Sequence, residues 1–152
     1  MFHHFHPYKP YLNSNTQKII VGTLPPPRFC KKEFKRGDVD FCYGSKDNLL
    51  WQALDEIFSL NLKFDNSLEA INQRKDFLDK NKIGICDIVN SCNRIKLDAS
   101  DLGMNDIKLR NMLKYLKDYK HINTNGLRNE KDRYKRKFRT NDLKILRIIT
   151  ND

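Results

Sequence analysis

The sequence predicts an α/β domain, a three-layer α/β/α arrangement around a central, mainly parallel, four-stranded sheet. Two observations carry this. Short apolar, β-branched runs recur at 19–21, 83–89 and 143–149, with a weaker one at 121–124, and their length suits a buried strand better than a helix. Between them lie stretches of about 10–14 residues with helical spacing, and strands that alternate with such helices build βα units whose neighbours run parallel.

Residues 1–18, "MFHHFHPYKPYLNSNTQK", mix histidines, prolines and aromatics with no period of 2 or 3.6. They are predicted as an extended arm packed on a single domain that spans 19–152. The strand 19–21 ends at Gly22, where "GTLPPPRF" begins. An irregular stretch follows, and Ser45 or Asp47 caps a helix over 48–60 with Leu50, Trp51, Leu54, Ile57 and Phe58 on one face. A second helix is expected within 67–80 on the spacing of Leu68, Ile71, Lys75 and Leu78. After the strand 83–89 comes a polar loop, then a helix over 105–117 with Ile107, Met112, Leu113 and Leu116 inward. A basic helix in "NEKDRYKRKF" precedes the last strand. In a parallel sheet the ligand sits beyond the carboxyl ends of the strands. The loops after residues 21, 89 and 124 are therefore expected on one functional rim.

At 152 residues the chain suits one domain able to bury about two-thirds of its unfolded surface. Its 29 basic and 19 acidic side chains leave a net charge of +10, which favours a polyanion, nucleic acid first. Residues 128–147 alone hold nine basic and three acidic residues, and Arg133, Lys135, Arg136 and Lys137 are the candidate DNA-phosphate contacts. A solvated helix face is the plainer account of the same run. No apolar run approaches the roughly 18 residues that a membrane span needs. Cys30, Cys42, Cys86 and Cys92 form no CxxC pair, and no secretory leader is evident. A reduced, cytoplasmic monomer is expected.

Several chemistries are disfavoured. His3, His4 and His6 have no carboxylate or cysteine nearby in sequence at ligand spacing, so no metal site is expected. Ser45 and Ser100 have no evident His–Asp partners. "GSKDN" lacks the spacing of a phosphate loop, so no nucleotide cofactor is expected.

Four segments in order, "VGTLPPPRF", "DVDFCYGSKDNLLWQAL", "GICDIVNSCNR" and "DASD", resemble the uracil-DNA glycosylase superfamily. The likeness is to its mismatch-specific and hypoxanthine-type branch, whose first motif runs Gly-Thr/Ser-Leu-Pro, and it covers about residues 6–125. It implies a monofunctional DNA glycosylase of base-excision repair. Such an enzyme extrudes uracil, hypoxanthine or a mispaired base from duplex DNA and hydrolyses its N-glycosidic bond through an oxocarbenium-like sugar.

The resemblance makes Gly22, Thr23, Leu24 and Pro25 one wall of the base pocket. Gly22 admits close approach of the ligand, and three prolines fix φ and remove N–H donors. Phe41 or Tyr43 supplies the stacking face, with Phe41 preferred. Asn48 holds the attacking water or reads the base edge, because an amide both donates and accepts; capping the following helix is its other reading. Asp87 is the second catalytic candidate, or else an acceptor that anchors a loop, and Asp40 is held in reserve.

Two departures qualify the likeness. Leu24 stands where related branches place Asp or Asn to orient water, so this loop shapes the pocket rather than activating a nucleophile. The second motif of the family, a Ser- or His-bearing loop, would follow residue 149, so the domain reads as C-terminally shortened. A catalytically impaired DNA-binding module or truncated paralogue of the same fold is the alternative.

Overall fold

A computed structural model of the chain describes residues 1–98, 100–116 and 147–150. The chain folds around two small sheets rather than one. In the first, β2 (Lys18–Val21) pairs parallel with β3 (Ile83–Ile85), and β6 (Arg147–Thr150) pairs antiparallel on the other side of β2. In the second, β4 (Val89–Arg94) lies between β1 (Phe2–Phe5) and β5 (Met104–Leu109), antiparallel to both.

The expected central, mainly parallel, four-stranded sheet is thereby corrected to a small mixed α/β fold with one parallel strand pair. The reason lies in the connections. Between β2 and β3 the chain runs through α2 (Leu50–Phe58) and α3 (Leu68–Lys80), long enough for a parallel crossover. From β3 to β4 and from β4 to β5 the links are too short for that, and β4 and β5 pair antiparallel. The predicted strand 121–124 and the basic helix lie outside the described residues.

The run 83–89 is also split. Cys86 and Ile88 continue the β2 ladder through hydrogen bonds to the Ile20 and Gly22 carbonyls, but Ile88 also accepts from the Arg110 amide of the second sheet. The chain thus passes from one sheet to the other at Asp87. The helix expected over 105–117 is instead β5 followed by a short α4 (Met112–Leu116). Asp106 sits at φ 49° and the β4–β5 register shifts, so the backbone there is a bulged strand that no helix could continue through.

Both long helices fall where the periodicity predicts, each buried through a narrower face. On α2 Leu50 and Trp51 are buried, while Ile57 and Phe58 are exposed. Ser67 caps α3 by accepting the Ala70 amide, and the inner face is Ala70, Arg74, Phe77 and Leu78, with Leu68 outside. Arg74 is wholly buried, its guanidinium 5.3 Å from the Trp51 ring and 5.0 Å from that of Phe64. Burial pushes it down to about 10. No helix among the described residues is long and apolar enough to cross a membrane.

The arm is structural rather than peripheral. β1 adds a strand to the second sheet, and Tyr11 bridges to Ile85 at the free edge of β3. His4 is fully buried, and its Nδ1 accepts from Arg94 Nε at 2.7 Å. Its Nε2 makes no hydrogen bond of normal geometry among the described residues, only a nearby approach to the Pro25 carbonyl.

A second buried charge sits under the irregular loop. Arg28 grips Asp38 in a bidentate pair at 2.8 and 2.9 Å, and Asp38 also accepts the Lys35 and Lys46 amides. This hub closes residues 35–46 into a fixed loop.

These two sites make the fold sensitive to acid. Burial, then the Arg94 charge, lowers His4 from 6.5 to about 4. Between those values the unfolded chain binds a proton that the folded chain refuses, so stability falls by about 3 kcal/mol as pH drops through that window. At Asp38 burial opposes ionisation, but Arg28 and the two amides outweigh it and hold the carboxyl at about 2 against an ordinary 3.8. Its stabilisation is full above pH 4, and about 2 kcal/mol disappears as pH falls toward 2. Urea midpoints at pH 7, 4 and 2.5 should drop in two stages. A His4→Gln variant should lose the first stage alone, and a midpoint unchanged between pH 7 and 4 would overturn the assignment.

Candidate functional site

The first-motif loop leaves β2 at Gly22 and is held at each of its next positions. The Gly22 amide donates to Asp87 Oδ1 at 2.8 Å, and the Thr23 hydroxyl donates to Asp101 at 3.0 Å. Leu24 packs against the cluster of Val89, Cys92 and Met104, and the Pro25 carbonyl approaches His4. Pro26 is extended at φ −54°, ψ 146°, and Pro27 opens the short helix α1 (Pro27–Cys30), where a missing N–H costs nothing. The stiffness read from three prolines is therefore matched by a tie at every residue before them.

The second segment reaches the same point through Tyr43. Tyr43 adopts a left-handed backbone at φ 58°, strained for a bulky side chain by about 1–3 kcal/mol. Its hydroxyl donates to Asp87 Oδ1 at 2.7 Å. Gly44 follows with no room for a side chain, since a Cβ there would overlap the Val39 carbonyl. A Cβ on Gly22 would likewise run into the Tyr43 hydroxyl and lie 3.1 Å from Asp87 Oδ1. Three predicted residues from three separate motifs, Gly22, Tyr43 and Asp87, thus converge on one carboxylate.

A fourth member comes from the arm and was considered at sequence level only as a metal ligand. His6 Nε2 lies 2.8 Å from Asp87 Oδ2, and both side chains are buried. His6 Nδ1 accepts the Tyr8 amide at 3.2 Å, which places the ring hydrogen on Nε2, facing the carboxylate. The available signal was "HHFH", where His4 and His6 share a strand face two residues apart; it points at the neighbouring loop only once β1 is seen to pair with β4.

The other predicted residues are placed elsewhere. Phe41 is 6% exposed, edge-on to Tyr11 at 5.7 Å and tilted toward Trp51 at 6.2 Å, so it builds the core rather than presenting a stacking face. Tyr43 is the half-buried aromatic at the cluster. Asn48 enters α2, where its Oδ1 accepts the Leu50 amide at 2.9 Å. Asp40 is drawn away toward the Tyr8 hydroxyl and Lys32. Arg133, Lys135, Arg136 and Lys137 lie outside the described residues.

No group of three or more metal-ligating side chains occurs among the described residues. The thiols are poor nucleophiles, because burial raises Cys86 to about 11 and moves Cys42 upward as well. An open groove of about 380 Å³ on α2, lined by Gln52, Asp55, Glu56, Ser59 and Phe64, shares no residue with the Asp87 cluster, and its two carboxylates would repel a phosphate backbone. Compared with models of known protein families, with curated proteins and with solved structures, the chain matches none.

Proposed function

We propose that this chain is a DNA glycosylase-like protein that takes a damaged or mispaired base, extruded from the duplex, against the wall formed by Gly22, Thr23, Leu24 and Pro25. The observation that carries the reading is the convergence of Gly22 and Tyr43 on Asp87, residues from three separate motif segments. The net charge of +10 supports a polyanionic partner. Tyr43 is the stacking candidate, and strain held at a bulky residue is what a preorganised site maintains.

In the reaction the C1′–N bond breaks and its electron pair leaves with the base. The oxygen of a water molecule bonds to C1′ of the resulting cationic sugar, and one water proton is released. The resemblance, rather than a contact with the Asp87 cluster, assigns Asn48 to hold that water. The Asp87 carboxyl group, in a buried and water-poor setting, is assigned to stabilise the positive charge. No cofactor is required.

The test is incubation with duplex oligonucleotides carrying uracil, hypoxanthine or a G·T mismatch, followed by alkaline cleavage of abasic sites. Strand breaks at the modified position are expected. A second reading, a module that binds DNA without cutting, is favoured by one observation: Leu24 is packed among apolar side chains where related branches activate water. DNA binding that weakens steeply with salt, with no strand breaks on any substrate, would select it.

A further inference from the structure

We propose that the N-terminal arm is a working part of the pocket, and that His6 is a positioning residue acting on base excision through Asp87; this rests on the glycosylase reading above. The geometry separates His6 from its neighbours. His3 reaches only Asn93 on the adjacent strand, and His4 is tied to Arg94 inside the second sheet. His6 alone of the three meets the Asp87 carboxylate.

The contact controls which way the carboxylate faces. Asp87 Oδ1 already accepts two donors, the Gly22 amide and the Tyr43 hydroxyl. Held at Oδ1 alone, the carboxylate could still turn about its last torsion. His6 fixes Oδ2, and with both oxygens held the carboxylate plane is set. The His6 ring is oriented in turn by the Tyr8 amide on Nδ1. Tyr8 is anchored through its hydroxyl to Asp40 and through its carbonyl to Arg110 Nη2 at 3.0 Å.

This orientation matters for two reasons. Gly22 and Tyr43 approach closely enough that a Cβ on Gly22 would overlap the Tyr43 hydroxyl, so a small turn of Asp87 alters the pocket wall. Tyr43 also holds a strained backbone that relaxes if its tether moves. With Nδ1 taken by the Tyr8 amide, the ring meets Asp87 through Nε2 and sets the direction in which the carboxylate faces the site.

The test compares His6→Ala, His6→Gln, His6→Asn, Asp87→Asn and the double variant His6→Ala/Asp87→Asn. Single-turnover excision is measured on the substrate the parent cuts best, alongside duplex affinity and thermal midpoint. His6→Ala should slow excision about tenfold to a hundredfold, the scale of a small misplacement in a reacting site, with duplex affinity unchanged. His6→Gln, whose amide nitrogen reaches the Nε2 position, should restore most of the rate, whereas the shorter His6→Asn should not. That pair decides the matter even if His6→Ala does not fold. In the Asp87→Asn background, His6→Ala should cost nothing further.

Excision by both His6→Ala and His6→Asn at the parental rate, or an equal His6→Ala penalty in both backgrounds, would overturn the proposal while leaving the glycosylase reading intact. A parent that cuts none of the substrates would overturn both. Independently of activity, the Gly22 amide resonance should move in His6→Asn and stay near its parental position in His6→Gln. An unmoved resonance in His6→Asn counts against the proposal.

Discussion

Replacing Asp87 by alanine is expected to lower the free energy of unfolding by about 3–5 kcal/mol, the largest stability loss of any single substitution at the site. Three donors depend on this one side chain: the Gly22 amide, the Tyr43 hydroxyl and His6 Nε2–H. Asp87 is 5% exposed, so water cannot easily replace the carboxylate. The residue also stands where the chain passes between the two sheets, and its loss releases the first-motif loop and the arm together. Asp87→Asn should cost less, because an amide oxygen still serves Gly22 and Tyr43, while its NH₂ would oppose the His6 hydrogen. Urea unfolding followed by Trp51 fluorescence measures both. A loss below about 1 kcal/mol for Asp87→Ala would mean that the three donors find other partners.

The legibility of this fold divides along a physical line. Local signals were sufficient where one element satisfies itself. The helices at 50–58 and 68–80 were visible from spacing, and the strand at 18–21 from its β-branched run. Topology was not visible, because a short apolar run does not say which neighbour its backbone will bond. The run 83–89 reads as one parallel strand, yet its last residue, Val89, pairs antiparallel with β5 and opens the strand whose later residues pair with β1. The arm lacked periodicity because its strand is four residues long, with His4 buried and Phe2 and Phe5 against the periphery.

Within the site the same division holds. Gly22 was legible as the end of its strand and Asp87 from the segment that carries it, although the apolar run set Asp87 within a strand 83–89; both lie just past the ends of two parallel neighbours. Tyr43 and Phe41 were not separable in sequence, two aromatics two residues apart in an irregular loop. What separates them is the backbone. The left-handed turn at Tyr43 sends its side chain to Asp87, while Phe41 joins Tyr11 and Trp51 in the core. His6 could not be read at all without the β1–β4 pairing. Arg74 was equally hidden, since a charged residue on a helix is ordinarily assigned to solvent.

The other large effect is expected on chemistry with little change in the fold. Asn48→Ala should reduce base excision by about 10²–10³-fold, the scale of removing one preorganised polar group from a reacting centre. Its stability cost should be limited to about 0.5–2 kcal/mol, because among the described residues the one side-chain bond lost is that from the Leu50 amide to Oδ1 at the start of α2. The side chain is half-buried, and its Nδ2 has no partner among the described residues, so one end of the amide holds the helix entry and the other is left to donate. Asn48→Asp separates the two roles. It keeps an oxygen for Leu50 and removes the amide donor, so it should unfold near the parental midpoint yet excise as poorly as Asn48→Ala. Parental excision by Asn48→Ala would reduce Asn48 to a helix-entry residue and leave Asp87, with the donors that orient it, as the group on which the chemistry turns.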